Sequence, residues 1–230
     1  MWWIAVIVIF ALVAGIVYFS LITTSGRKKT REQFLKELAD SMEGSVEPLH
    51  DPLQPNAFRV IFNFEGEKFI YEDIEELSFR EKLFKGYLKC QTPSSLDLYV
   101  TEKEKSNKII QPELQFSAHK NFKEKIKVHV PRSLRQFNVY TNHPQEANIL
   151  LGDEKIAQVF AGFKNADSRG HPFLSLKILH GEVVLEFHST VVYTPNRTDL
   201  INNVALMENY VQKLLLIVNK LKEIEQKKKE

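Results

Sequence analysis

The feature that most constrains this chain is the apolar run at its start, from Trp2 to Ile22. It contains no charged residue, and Tyr18 and Ser20 are its polar side chains besides the tryptophans. An apolar run of about 20 residues is long enough, as a helix, to cross a hydrocarbon core of about 30 Å. Because backbone polar groups in lipid must pair within the segment, this run is predicted to be a transmembrane helix.

A cleaved signal peptide is the other interpretation of this run. Such a peptide has a positively charged start, a shorter apolar core and a small-residue cleavage site. Here only Met1 precedes Trp2, and residues 20–25 make a poor cleavage site. We therefore expect an uncleaved anchor, with the lipid bilayer as the partner of residues 2–22.

Four basic residues, Arg27, Lys28, Lys29 and Arg31, follow the apolar run. Lysine and arginine close to a span are retained on the cytoplasmic side. The pattern predicts a single-pass protein of the cell's inner (plasma) membrane, with its N-terminus outside and its C-terminal domain in the cytoplasm. The same four side chains are the predicted membrane-surface contact.

The composition bounds the remaining residues. Hydrophobic residues make up 43% and charged residues 26% of the chain, as in a globular protein. A net charge of +2 gives no field that favours nucleic acid, so no nucleic-acid partner is expected. A single cysteine, Cys90, fits a reducing compartment, and its apolar neighbours predict a core or interface residue.

The predicted domain organisation has three parts: a transmembrane anchor at 1–26, a juxtamembrane amphipathic helix at 27–44, and a cytoplasmic α+β domain at 45–230. In the juxtamembrane helix the apolar stripe packs either on the soluble domain or on the membrane surface, and we expect the first because the polar face is of mixed charge. Gly44 is expected to adopt the left-handed conformation at the C-terminal end. The stripe consists of Phe34, Leu35, Leu38, Ala39 and Met42.

Alternating apolar residues predict an antiparallel sheet with one wet face. Three hairpins are predicted, which pair 58–64 with 68–71, 84–90 with 96–101, and 174–179 with 182–188. Further strands are predicted at 113–116, 123–130 and 137–140.

Helical periodicity appears after the strand at 137–140. A short helix follows Pro144 and ends at Gly152, and Asp153 is predicted to cap the next helix. A long C-terminal amphipathic helix from Asp199 carries apolar residues at alternating spacings of three and four. That helix either covers the sheet or forms a coiled coil, which leaves open a homo-oligomer or a protein partner. The predicted fold class is α+β, with an antiparallel sheet covered on one face by helices.

Motifs for catalysis or cofactor binding are absent from the sequence. None of its seven histidines lies in a metal-binding motif, and it has no P-loop, dinucleotide fingerprint or nucleophile elbow. His180 and His188 flank one predicted hairpin and could approach each other, but a third metal ligand is missing. We expect no catalytic residue, no cofactor and no metal.

The stretch FNVYTNHPQEANILL at 137–151 carries the pattern Y-x-x-x-P-x-x-A-x-x-L-L. With the helix at 153–163, the hairpin at 174–188 and the terminal helix, it resembles uncharacterised bacterial membrane-anchored proteins that carry a C-terminal domain of unknown function. The resemblance covers roughly the last 95 residues. It implies a bacterial inner-membrane setting and brings no catalytic residue.

Three functions fit these observations. The first is a membrane-tethered cytoplasmic module that recruits or senses a partner without catalysis. The second is lipid binding at the inner leaflet, with 27–31 and 227–229 facing anionic headgroups. The third is an enzyme whose site matches no motif.

Overall fold

The computed structural model describes Val13 and residues 32–49, 57–77, 82–102, 134–135, 137–165, 173–190 and 204–229. The predicted anchor at 2–22 lies outside the described residues except for Val13, which is helical and 54% exposed. The predicted strands at 113–116 and 123–130 also lie outside them. In the part of the chain that is described, no helix is both long and apolar enough to cross a membrane.

Four helices and eight strands make up the described fold. The helices are α1 (32–41), α2 (Pro144–Gly152), α3 (Glu154–Asn165) and α4 (Val204–Lys227). The strands are β1 (Ser45–Pro48), β2 (Phe58–Phe64), β3 (Glu67–Leu77), β4 (Lys82–Gln91), β5 (Leu98–Glu102), β6 (Phe137–Thr141), β7 (Phe173–Leu179) and β8 (Glu182–Thr190). The predicted α+β class is confirmed.

The eight strands form one sheet in the order β1-β2-β3-β4-β8-β7-β5-β6, and all the described pairings are antiparallel. One row of directly opposed residues crosses seven strands and is buried throughout. Its members are Val60, Tyr71, Leu88, Leu185, Leu176, Val100 and Val139. Because side chains alternate across a strand, this row marks the face that packs against the helices.

Helix α1 packs its apolar stripe into the core of the sheet, as predicted. All five stripe residues are buried, and the Phe34 ring meets the Tyr71 ring edge to face at 6.3 Å. At the other end of the helix, the Ser41 hydroxyl donates to the Glu208 carboxylate of α4 at 2.6 Å. The helix is therefore fixed to both the sheet and α4.

The end of α1 differs from the prediction by one residue. Glu43, with φ of 50°, takes the left-handed conformation, and the Gly44 N–H then donates to the Ala39 carbonyl at 2.7 Å. Gly44 is needed for a different reason, because a Cβ there would lie 2.5 Å from the Ile61 carbonyl oxygen and 2.8 Å from the Phe62 Cβ. Close approach to β2, rather than backbone conformation, fixes this glycine.

The predicted hairpin between 84–90 and 96–101 is wrong. Both segments are strands, but β4 pairs with β3 and β8, while β5 pairs with β7 and β6. The β7–β8 hairpin lies between them, and residues 92–97 carry the chain across its turn. The Thr92 N–H donates to the Gly181 carbonyl at 2.7 Å, which ties this crossing segment to the hairpin.

Helix α4 covers the sheet with the apolar seam that the sequence shows. From Met207 to Ile224 the seam is buried within this chain, and the Tyr210 ring contacts the Phe187 ring of β8 at 4.8 Å. Lys222 near the C-terminal end forms an ion pair with Glu67 of β3. The heptad pattern thus serves the core of this chain, while Leu206 and Leu216 lie exposed on the outward face of α4.

Candidate functional site

A groove between α2 and the last turns of α4 is the candidate site of the described structure. We call it the α2–α4 groove, and its volume is about 250 Å³. Its lining is part apolar and part charged. The lining residues are Gln145, Glu146, Ile149, Lys220, Glu223, Ile224, Lys227 and Lys228.

Local sequence explains why α2 offers this wall. Pro144 occupies the first turn, where its missing N–H costs no helical hydrogen bond. Ala147, Leu150 and Leu151 point into the core. Ile149 then falls on the outward side, where it is 56% exposed. Ile149 is therefore the apolar side chain that α2 contributes to the groove.

The second wall comes from α4, where the buried seam ends. Ile224 is 6% exposed and forms the apolar floor. Lys220, Glu223 and Lys227 follow one another at spacings of three and four, so they share the neighbouring face of the helix. The groove therefore has an apolar centre and a charged rim.

One end of the rim is closed by an ion-paired cap. The Asp153 Oδ1 atom accepts the Lys155 N–H at 2.9 Å and the Ile156 N–H at 3.4 Å, as the predicted cap of α3 requires. Its Oδ2 atom lies 2.7 Å from Lys220 Nζ, which also lies 3.1 Å from Glu223 Oε2. The hydrogen bond from Lys220 lowers the pKa of Asp153, and the same bond raises the pKa of Lys220.

The other end of the rim is closed by Lys228. Its Nζ atom lies 3.0 Å from Glu225 and 3.4 Å from Glu146 of α2. Partial burial opposes protonation of Lys228, but its bonds to Glu225 and Glu146 outweigh burial and raise its pKa. Lys228 is therefore protonated, and its ion pair with Glu146 connects α4 to α2.

The crossing segment at 92–97 holds Glu225 in place. Glu225 accepts the Ser95 N–H at 3.0 Å and the Ser95 hydroxyl at 3.1 Å. Partial burial would raise the pKa of Glu225, yet the Ser95 and Lys228 bonds lower it overall. A carboxylate with these donors stays ionised near neutral pH and fixes the C-terminal turn of α4 against the sheet.

Lys227 differs from the two other lysines of the groove. It is exposed, and it forms no ion pair with any of the residues that the structure describes. Glu223, one helical turn earlier on the same face, already accepts a hydrogen bond from Lys220. Within the described part of the chain, Lys227 is thus the lysine of the groove that has no ion-pair partner.

Two protonated lysines border the apolar part of the groove. Lys220 and Lys228 have raised pKa values and stay protonated, so neither is a nucleophile. In the described residues no three histidine, cysteine, aspartate or glutamate side chains lie close enough to hold a metal ion. What the groove offers is an apolar recess with a fixed polar edge.

The residues that the sequence singled out lie elsewhere. Arg27, Lys28, Lys29 and Arg31 fall outside the described residues. His180 adopts a positive φ of 53° in the β7–β8 turn, whereas His188 lies six residues along β8.

The approach of these two histidines that the sequence left open does not occur, because six residues of strand span about 20 Å. Cys90 is a buried core residue, as predicted. Burial and the charge of Glu67 raise the pKa of Cys90 to about 11.

Sequence patterns do not reveal the groove. Ser95 and Glu225 are 130 residues apart, and serines after a proline are explained by turn chemistry alone. Ile149 is the one local signal, because it faces away from the buried stripe of α2.

Comparisons with protein-family models, with curated proteins and with solved structures give no match for this chain.

Proposed function

We propose that this protein is a non-catalytic interaction module, tethered to the inner face of the plasma membrane by residues 2–22, which docks a segment of another protein in the α2–α4 groove. The tether is supported by the length of the apolar run and the basic residues after it. Docking is supported by the groove itself.

The observation that carries the proposal is that the exposed Ile149 of α2 and the buried Ile224 of α4 line the same groove. Exposed single hydrophobic residues are ordinary, but one that forms the wall of a recess is positioned to accept an apolar side chain. Ion pairs at both ends hold the walls apart and in register. The groove is therefore formed before a partner arrives, which lowers the cost of binding.

Charge pairing favours a protein partner over an anionic membrane surface. Headgroup binding depends on several unpaired lysines at once. Of the three lysines at 227–229, Lys228 is already paired with two carboxylates, and Lys220 of the groove is paired with two more. The groove presents mainly apolar surface and one lysine, Lys227, without an ion pair to the described residues, which suits a side chain of a partner.

The test is quantitative co-isolation of the full chain from chemically cross-linked native membranes. Three versions are compared: the unchanged chain, Ile149→Glu, and Leu216→Glu as the matched control on an exposed leucine outside the groove. We expect at least one protein to be retained with the unchanged chain and with Leu216→Glu, and to fall at least about tenfold with Ile149→Glu. Equal recovery of all co-isolated proteins with the two variants would overturn the proposal.

A further inference from the structure

We infer that the occupant of the α2–α4 groove is a protein segment that presents an aliphatic side chain with a carboxylate beside it. This inference rests on the proposed function and adds the chemistry of the partner. It follows from three properties of the groove, which are its volume, its apolar centre and a lysine, Lys227, that has no ion pair with any described residue.

The volume sets the size of the group that fits. A cavity of about 150 Å³ accepts a benzene-sized molecule, and the groove measures about 250 Å³. One leucine, isoleucine or methionine side chain, with part of its own backbone, fits a recess of this size. Ile149 and Ile224 line it on opposite helices, so such a side chain would contact apolar atoms from both walls.

The paired charges exclude a densely charged occupant. Asp153 and Glu223 share Lys220, while Glu146 and Glu225 share Lys228, so four acids already surround the two lysines. A densely charged anionic ligand would be repelled by these carboxylates as well as attracted by the lysines. A single carboxylate beside Lys227 avoids that repulsion.

Lys227 is the reason to expect a negative charge on the partner segment. It lines the groove one helical turn beyond Glu223, and it lacks an acid partner among the described residues. An exposed ion pair contributes little affinity, so the aliphatic group drives binding and the carboxylate selects among partners. The predicted recognition element is therefore an aliphatic residue with aspartate or glutamate within a few positions of it.

The test is selection of a displayed random-peptide library on the full chain in nanodiscs of neutral lipid. We expect enriched peptides to combine an aliphatic residue with a nearby acid. Their binding should weaken at least about tenfold on Ile149→Glu and on the uncharged Ile149→Gln, and stay unchanged on Leu216→Glu. Because position 149 is exposed, these variants should keep the far-ultraviolet circular dichroism of the unchanged chain.

Charge reversal tests the carboxylate separately. On Lys227→Glu the same peptides should bind about fivefold more weakly, and a new selection should favour lysine or arginine in place of the acid. Lys229→Glu, which changes an exposed lysine outside the groove, is the matched control and should have no such effect.

The outcomes separate the two proposals. Peptides that depend on Ile149 but show no preference for acids would overturn this inference and leave the proposed function intact. Failure to obtain any peptide that depends on Ile149 would overturn both. If no peptide binds but the chain binds anionic vesicles in a way that depends on Ile149, the groove is a lipid site and both proposals are overturned. Groove-dependent cross-linking of two copies of this chain, without peptide binding, would assign the groove to self-association and overturn both.

Discussion

The Nζ atom of Lys220 lies 2.7 Å from the Oδ2 atom of Asp153, so the residue that caps α3 is also ion-paired to α4. One aspartate thus joins a local interaction, the cap, to a long-range one between helices. The ion pair closes one end of the α2–α4 groove.

Substitutions at Asp153 should separate the two interactions. Asp153→Ala removes both the cap and the ion pair, and we expect it to lower the free energy of unfolding by about 1–2 kcal/mol. Asp153→Asn keeps a capping oxygen, and Lys220→Met keeps the cap while it removes the partly exposed ion pairs to Asp153 and Glu223, so each should cost less than half of that. Chemical denaturation of the four proteins measures these differences, and equal losses for Ala and Asn would contradict the role of the cap.

The bonds that Glu225 accepts from Ser95 and Lys228 should make the free energy of unfolding fall at acid pH. Its folded pKa lies below the ordinary value of a glutamate, so the folded state binds fewer protons than the unfolded state as pH decreases. The stabilisation is complete above the unfolded pKa of about 4.3 and is lost as pH falls through the folded pKa.

We therefore expect the difference in free energy of unfolding between the unchanged chain and Glu225→Gln to shrink between about pH 5 and pH 3. Measurements of both proteins at several pH values test this. A difference that stays constant over that range would show that the stabilisation by Glu225 does not depend on its ionised carboxylate.

Gly44 should tolerate no side chain. An added Cβ would clash with the Ile61 carbonyl and the Phe62 Cβ, both on β2. Because these atoms are backbone or close to it, α1 would have to move away from the sheet. We expect Gly44→Ala to destabilise the fold by about 1–3 kcal/mol.

Gly152→Ala is the matched control, because a Cβ there meets nothing within 4 Å. It should be neutral or slightly stabilising in the same thermal denaturation measurement. Similar melting temperatures for the two alanine variants would contradict the close approach of α1 and β2.

Cys90 should be protected from thiol reagents in the native chain. Burial and the charge of Glu67 raise its pKa to about 11, so both access and thiolate formation are limited near neutral pH. As the chain has one cysteine, labelling with an aromatic disulfide reports this site alone. We expect slow labelling in native conditions and rapid, complete labelling in denaturant; rapid native labelling would show that the β4 region opens.

The local features of this fold could be predicted from sequence because neighbouring residues encode them. The turns at Glu65-Gly66 and His180-Gly181, the cap at Asp153 and the buried stripe of α4 all occur where the sequence patterns place them. Each depends on backbone conformation or on side-chain spacing within one segment.

The long-range features could not be predicted in the same way. Strand β4 pairs with β8, about a hundred residues later, and this pairing excludes the β4–β5 hairpin that proximity in sequence favours. The groove depends on Ser95 meeting Glu225 and on Glu146 meeting Lys228. Hydrophobic periodicity shows which faces are buried, but it does not determine which elements meet.

The central claim, that the α2–α4 groove docks a partner protein, is tested most directly by site-specific photo-cross-linking in native membranes. A photoreactive amino acid replaces Gln145 on the groove wall in the full chain, and in parallel it replaces Leu216 on the outer face of α4. The account predicts a defined protein adduct from position 145 that disappears when Ile149→Glu is added and does not form from position 216. The same adducts from both positions, or an adduct at 145 that Ile149→Glu leaves unchanged, would contradict it.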